Sequence, residues 1–301
     1  MISSILQVFL RFIYVVIGII LISAFVGLFT NSLSETDPAL FEKGVQLTIP
    51  SFFENVVFIC QSLFNWDNLT IHGAKQREFS IFLNFWDVYF YSIILFLSSL
   101  LLSIFNGVLL TYISMMLSHK MNSLLTRTVS LFESLPDLFI IMIIQFSIVV
   151  YYQKTGTLLF PVAGTAQNES YLLPIVALAV IPTILFYRIS LHLVRDEWEK
   201  PYIDLARSKG FSKKRIFFSH VMRNIIPSLF IHSKTMVLYL LSSMVIFERI
   251  FNINGIISYV IRYPSSNIIA FSLILFFVPI FLLYVVLTPM IEKITGQKLE
   301  W

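Results

Sequence analysis

Three ionisable residues stand where the chain is otherwise apolar. Glu133 and Asp137 are four residues apart, a spacing that puts two side chains on one face of a helix. Lys234 lies inside another apolar run. Charges within a bilayer are costly, and they pair with one another or line a path for a polar solute. The set has two readings: a path that recognises the charged ends of a solute, or a structural bridge between Lys234 and one carboxylate. Lys234 can also reach an interface by snorkelling. No catalytic chemistry is legible. There is no Gly-x4-Gly-Lys-Ser/Thr loop for ATP phosphates and no nucleophile–His–acid set. His72, His119, His192, His220 and His232 show no paired metal spacing. The single cysteine, Cys60, excludes an internal disulfide and a four-cysteine zinc site. No cofactor, metal or catalytic residue is expected.

The elements that must position these residues are membrane spans. Hydrophobic residues make up 57% of the chain and charged ones 13%, about half the usual charged share of a soluble domain, and the mean hydropathy is +0.83. Six runs approach the ~20 apolar residues that cross a bilayer: 12–30, 88–117, 129–150, 171–189, 225–247 and 268–290. They are too long and continuous for barrel strands. The expected fold is an all-α integral membrane protein of one domain, 1–301, whose first span is an uncleaved anchor. Pro174, Pro182 and Pro279 are expected to kink their spans, and Asn106-Gly107 to allow close helix packing.

Basic residues set the orientation. Segment 31–87 holds three Lys/Arg (Lys43, Lys75, Arg77) and seven acids, whereas 188–234 holds ten Lys/Arg and four acids. By the positive-inside rule, both termini, a short 118–128 turn and the 188–234 loop lie in the cytoplasm of a multi-pass cell-membrane protein. Segment 31–87 lies outside. Its aromatic residues Phe52, Phe53, Phe64, Trp66, Phe85 and Trp86 are expected to rest partly on the membrane surface.

The basic loop 196–228 reads as two helices around a joint. Glu197 to Lys209 has no breaker after Pro201, Gly210 can end that helix in the left-handed region, and Ser212 can cap a second helix reaching Asn224. Pro227 follows near the entry to the fifth span. Such a loop could be merely solvated, could bind nucleic acid, or could dock a cytoplasmic partner. Six spans argue against nucleic acid.

Here the residues resemble a family. Asp204-Leu205-Ala206-Arg207-Ser208-Lys209-Gly210, followed by His220, Arg223, Asn224 and Pro227, is similar to the "EAA" loop of ABC importer permeases, in the version of the oligopeptide/dipeptide/nickel permeases. Four further motifs occur in that family's order: Asp37-Pro38-Ala39, Ser134-Leu135-Pro136, Phe160-Pro161-Val162-Ala163-Gly164, and Phe247-Glu248-Arg249-Ile250-Phe251-Asn252-Ile253-Asn254-Gly255-Ile256. The resemblance covers nearly the whole chain. It departs at Asp204-Leu205, where Glu-Ala or Thr-Ala is usual, at Asn254, where Pro is usual, at Asp37, which lacks a preceding Gly, and at Thr288-Pro289-Met290, where Asp-Pro-Arg is usual.

The resemblance implies six helices in the type I ABC importer permease arrangement. It implies two cytoplasmic ABC ATPases, a second homologous permease, an extracytoplasmic substrate-binding protein and surrounding lipid as partners, and no nucleic acid. The substrate would be an oligopeptide or dipeptide, with nickel or a metal chelate as the alternative in the same family. A channel or a sensor with a docking loop is the remoter reading, and no filter-like ring motif supports it. The resemblance implies ATPase coupling through Asp204, Ala206, Gly210, His220, Arg223, Asn224 and Pro227, with small Ala206 and Gly210 letting the partner approach. Glu133, Asp137 and Lys234 would face a peptide.

Overall fold

A computed structural model describes residues 2–34, 49–65, 69–72, 78–164 and 169–299. Asp37-Pro38-Ala39, Lys43, Trp66, Lys75 and Arg77 lie outside the described residues. Among the described residues the chain is helical except for one small hairpin. In order it runs α1 (Ile2–Ser34), α2 (Ile49–Phe64), β1 (Thr70–His72), β2 (Glu78–Ser80), α3 (Phe85–Met116), α4 (His119–Glu133), α5 (Asp137–Thr155), α6 (Leu172–Trp198) and α7 (Pro201–Ser208). Then come α8 (Lys213–Ile250), α9 (Ile256–Arg262) and α10 (Ser266–Thr295). The strands pair antiparallel, Thr70 opposite Ser80. Among the described residues, six helices are long and apolar enough to span a membrane: α1 within Val8–Phe29, α3, α5, α6, α8 and α10.

The chain divides into two compact units, with boundaries inside α3 after Ile93 and inside α10 after Leu287. In the first, residues 1–93 and 254–287, lipid supplies no hydrophobic drive between helices, so small residues make the contacts. Ala24, Ile59 and Ala270 form a buried cluster with Ile20, Phe52, Val56 and Leu63 around it. A Cβ on Gly27 would meet the Ser266 Cβ at 2.5 Å. Phe85 is fully buried, with ring centroids 5.2 Å from Phe271 and 5.6 Å from Tyr259. It is therefore core, not a membrane-surface residue, whereas Phe53 and Phe64 are exposed.

The second unit, residues 94–253 and 288–301, holds the basic loop and the three charges. α6 packs along α8 and also against α5. The second half of α3 lies on α6 through small polar residues: Ser99 Oγ donates to the Ile175 carbonyl at 3.2 Å and Ser103 Oγ to that of Ala179 at 3.2 Å. A Cβ on Gly107 would stand 2.7 Å from Phe186 Cδ1 and 3.2 Å from the Tyr187 nitrogen, which bears out the close packing expected there.

Several expected boundaries move, each for a local reason. The third span does not begin at 129. Pro136, with φ −61° and ψ 142°, breaks the run, because proline lacks an N–H and disfavours helix before it. The 118–128 turn is the start of α4. Glu133 ends α4 and Asp137 begins α5, so the two carboxylates do not share a helix face. The fourth span continues to Trp198, well past 189, and the loop's first helix starts at Pro201, not Glu197. Its second helix is not separate. Lys213 runs unbroken into α8 through a π-helical turn at Phe217–Val221, with Pro227 inside the helix. Pro174 sits in the first turn of α6, where a missing N–H breaks no helical bond, so it need not kink the span.

Candidate functional site

The loop between α6 and α8 is a short helix held on one side and open on the other. Pro201 occupies its first turn, where no N–H is needed. Its end is closed by a Schellman arrangement: the Gly210 amide donates to the Arg207 carbonyl at 2.9 Å and the Phe211 amide to that of Ala206 at 3.2 Å. Gly210 carries the left-handed φ of 78° that this closure needs, and a Cβ there would meet nothing within 4 Å. Ser212 Oγ then accepts from the Arg215 amide at 3.4 Å, opening α8.

The two faces of α7 differ. Ile203 and Ala206 are buried, whereas Leu205 is 58% exposed beside exposed Asp204 and Arg207. Asp204 pairs with Arg207 at 2.9 Å, and the Arg207 guanidinium also lies 5.6 Å over the Trp198 ring. Ala206 therefore seats α7 on its own protein, whereas Gly210 is exposed with open space around it.

On the buried side lies a carboxylate that sequence reasoning did not single out. Glu197, in the last turn of α6, has a side chain only 8% exposed and accepts from Lys200 Nζ at 2.6 Å. Tyr202 Oη donates to it at 2.5 Å and Asn224 Nδ2 at 2.9 Å, and Asn224 also donates to Tyr202 Oη at 3.0 Å. Burial, and then the bond to this carboxylate, push the Tyr202 hydroxyl up to about 12. The arrangement joins α6, α7 and α8 at one point. The sequence signal was faint: a glutamate at the end of an apolar run, whose partners lie five and 27 residues away.

The remaining loop residues also make contacts within the chain. Arg223 Nε donates to the Ile294 carbonyl at 3.1 Å, capping the end of α10. The His220 ring stacks on Phe211 at 5.8 Å, and the Arg215 guanidinium lies 4.5 Å over the same Phe211 ring. Pro227 is buried within α8.

The two span carboxylates are separated and separately partnered. Both Glu133 oxygens accept from Arg188 of α6. Asp137, in the first turn of α5, accepts from the Tyr239 hydroxyl of α8. Asp137, Tyr239 and Ser243 form the polar part of a small cleft otherwise lined by aliphatic residues and Phe247. Lys234 is half-buried on α8.

Residues 101–293, which include this loop and all three charges, match the family described as binding-protein-dependent transport system inner membrane component. The chain belongs to that family. This transport component is similar to three curated relatives, each named dipeptide transport system permease protein DppB. That of Lactococcus lactis is 24% identical over 156 residues, 51% of this chain and 52% of the relative. Those of Haemophilus influenzae and Bacillus subtilis are 31% identical over 143 residues and 30% over 104, which is 44% and 35% of this chain and 43% and 34% of the relatives. The transport component thus spans about half, or less, of the length of the curated relatives it matches. Family membership agrees with six candidate spans and a multi-pass inner-membrane protein.

Proposed function

We propose that this chain is the permease subunit of an ATP-driven importer of peptides. It forms the translocation path with a second, similar permease, receives substrate from an extracytoplasmic binding protein, and couples to two cytoplasmic ATPases through residues 201–228. The supporting observation is α7 itself: a short helix that presents Leu205, Asp204 and the open Gly210 outward while its inner face is pinned to two spans. A merely solvated basic loop has no need of that buried anchoring. The concentration of Lys and Arg in 188–234 supports a cytoplasmic position for this loop and for both termini.

The names of the three relatives support peptides as substrate. Within the path we assign Asp137, Glu133 and Lys234 to contacts with charged ends of the substrate. Asp137 is the best placed of them, on the wall of a cleft. Two measurements test the reading. Affinity purification of this chain should bring down an ATPase and a second permease. Deletion of its gene should abolish growth on defined peptides as the sole source of a required amino acid. Normal growth on peptides with lost nickel uptake would replace the substrate, and purification without an ATPase would remove the importer reading.

A further inference from the structure

We propose that Glu197 is the positioning residue that makes α7 move as one body with both flanking spans, so that Glu197, not an exposed loop residue, transmits the partner's motion into the membrane helices. This rests on the reading of 201–228 as the docking loop for an ATPase.

An isolated eight-residue helix between two short linkers would swivel when pushed on its outer face, and a displacement of Leu205 would be lost as rotation. The geometry removes that freedom. The Glu197 carboxylate, fixed to the last turn of α6, accepts from Lys200 in the first linker, from Tyr202 in α7 and from Asn224 in α8. The bond from Asn224 to the Tyr202 oxygen closes the triangle. Bonds to a charged acceptor are about twice as strong as neutral ones. A buried carboxylate that loses a donor bears an unpaid desolvation cost, so the three elements hold one another in a single relative position. Ile203 and Ala206 bury the same face of α7. Load enters on Asp204, Leu205 and Gly210 and leaves through Glu197 to α6 and α8 together. Asn224, which resembles a coupling residue by sequence, acts through Glu197 and makes no contact with the partner itself.

The test uses the full complex in proteoliposomes and reads three quantities: ATPase retained, substrate-stimulated ATP hydrolysis, and substrate moved per ATP. Glu197→Ala should keep its ATPase but move at least about tenfold less substrate per ATP, since two charge-assisted bonds and an ion pair are lost. Asn224→Asp sets two carboxylates against each other and should lose coupling similarly. Glu197→Gln with Asn224→Asp restores a donor facing an acceptor and should recover to within about threefold of wild type. A merely structural role would lower yield or thermal stability while leaving substrate per ATP unchanged. Wild-type coupling in Glu197→Ala, or a double variant no better than Asn224→Asp, overturns the proposal while leaving the importer reading intact. If Glu197→Ala does not assemble, the other two variants decide by the same criterion. A wild-type complex that binds no ATPase removes the docking reading and this inference with it.

Discussion

Asn252 donates its side-chain amide to the Gly164 carbonyl at 3.0 Å, and the Gly164 amide donates to the Phe251 carbonyl at 2.8 Å. Two of the short motifs read from the sequence, at 160–164 and 247–256, therefore meet at the end of α8. Gln145 of α5 joins them, with Nε2 3.3 Å from the Val162 carbonyl. A Cβ on Gly164 would stand 2.9 Å from the Asn252 backbone oxygen, which cannot yield as a flexible side chain would. Gly164→Ala should destabilise the purified protein by about 1–3 kcal/mol. Gly18→Ala, with nothing within 4 Å, is the control. Thermal unfolding in detergent compares them, and equal midpoints would mean that this junction is loose.

Gly107→Ala should act similarly inside the bundle. The added carbon meets Phe186 at 2.7 Å and the Tyr187 backbone nitrogen at 3.2 Å, so α3 must move off α6. A lowered melting temperature with near-normal membrane insertion is expected, because each span satisfies its own backbone bonds.

Asp137 and Tyr239 separate a path role from a structural one. Tyr239→Phe removes the donor facing a half-buried carboxylate and should cost about 1–3 kcal/mol of stability. Asp137→Asn keeps an oxygen for the tyrosyl hydroxyl and should be nearly as stable as wild type. If the carboxylate recognises substrate, Asp137→Asn should still raise the KM for uptake several-fold, whereas unchanged uptake would leave Asp137 only its bond to α8.

Gly210→Val should lower coupling more than it lowers folding. Nothing stands near the missing Cβ, so the cost is the left-handed backbone, roughly 1–2 kcal/mol for an L residue. Gly210→Asn, which tolerates that region, should recover most of the stability yet still place bulk toward the partner. Retained ATPase and stimulated hydrolysis are the measurements. Wild-type values in both variants would mean that the partner does not approach here.

The orientation can be tested by labelling. With Cys60→Ala as background, Ser212→Cys and Thr157→Cys, at exposed positions beyond α7 and α5 respectively, should react with a membrane-impermeant thiol reagent from opposite sides of the membrane. Reaction of Ser212→Cys from outside and Thr157→Cys from inside would reverse the topology of this unit, and reaction of both from one side would mean that α6 does not cross.

The six spans were legible because a run of ~20 apolar residues has no other stable setting. Their ends were not, because helices leave the hydrocarbon without changing backbone geometry. The charged turn at Arg195-Asp196-Glu197 continues α6, and Lys213–Ile216 begins α8. The break at Pro136 carried its own signal, the bias against helix in the residue before proline, which a hydropathy average over 129–150 dilutes. Gly210 and Ser212 were readable as local backbone chemistry and take the expected conformations. Glu197 was not readable. Its importance comes from Asn224, 27 residues on, and from burial that only the packed helices create.

The spans differ greatly in length. At about 1.5 Å per residue, the 38 residues of α8 extend roughly 57 Å, whereas the 19 of α5 reach only about 28 Å, close to the ~30 Å hydrocarbon thickness. Through Gln145, α5 is tied to the end of α8 at the Ile250 carbonyl, so it has little freedom to slide. A thicker bilayer must then deform around α5, and a thinner one must expose its apolar ends. As α5 is the shortest of the six candidate spans, lipid chain length acts on it first, and membrane composition becomes a variable to which this protein is mechanically sensitive.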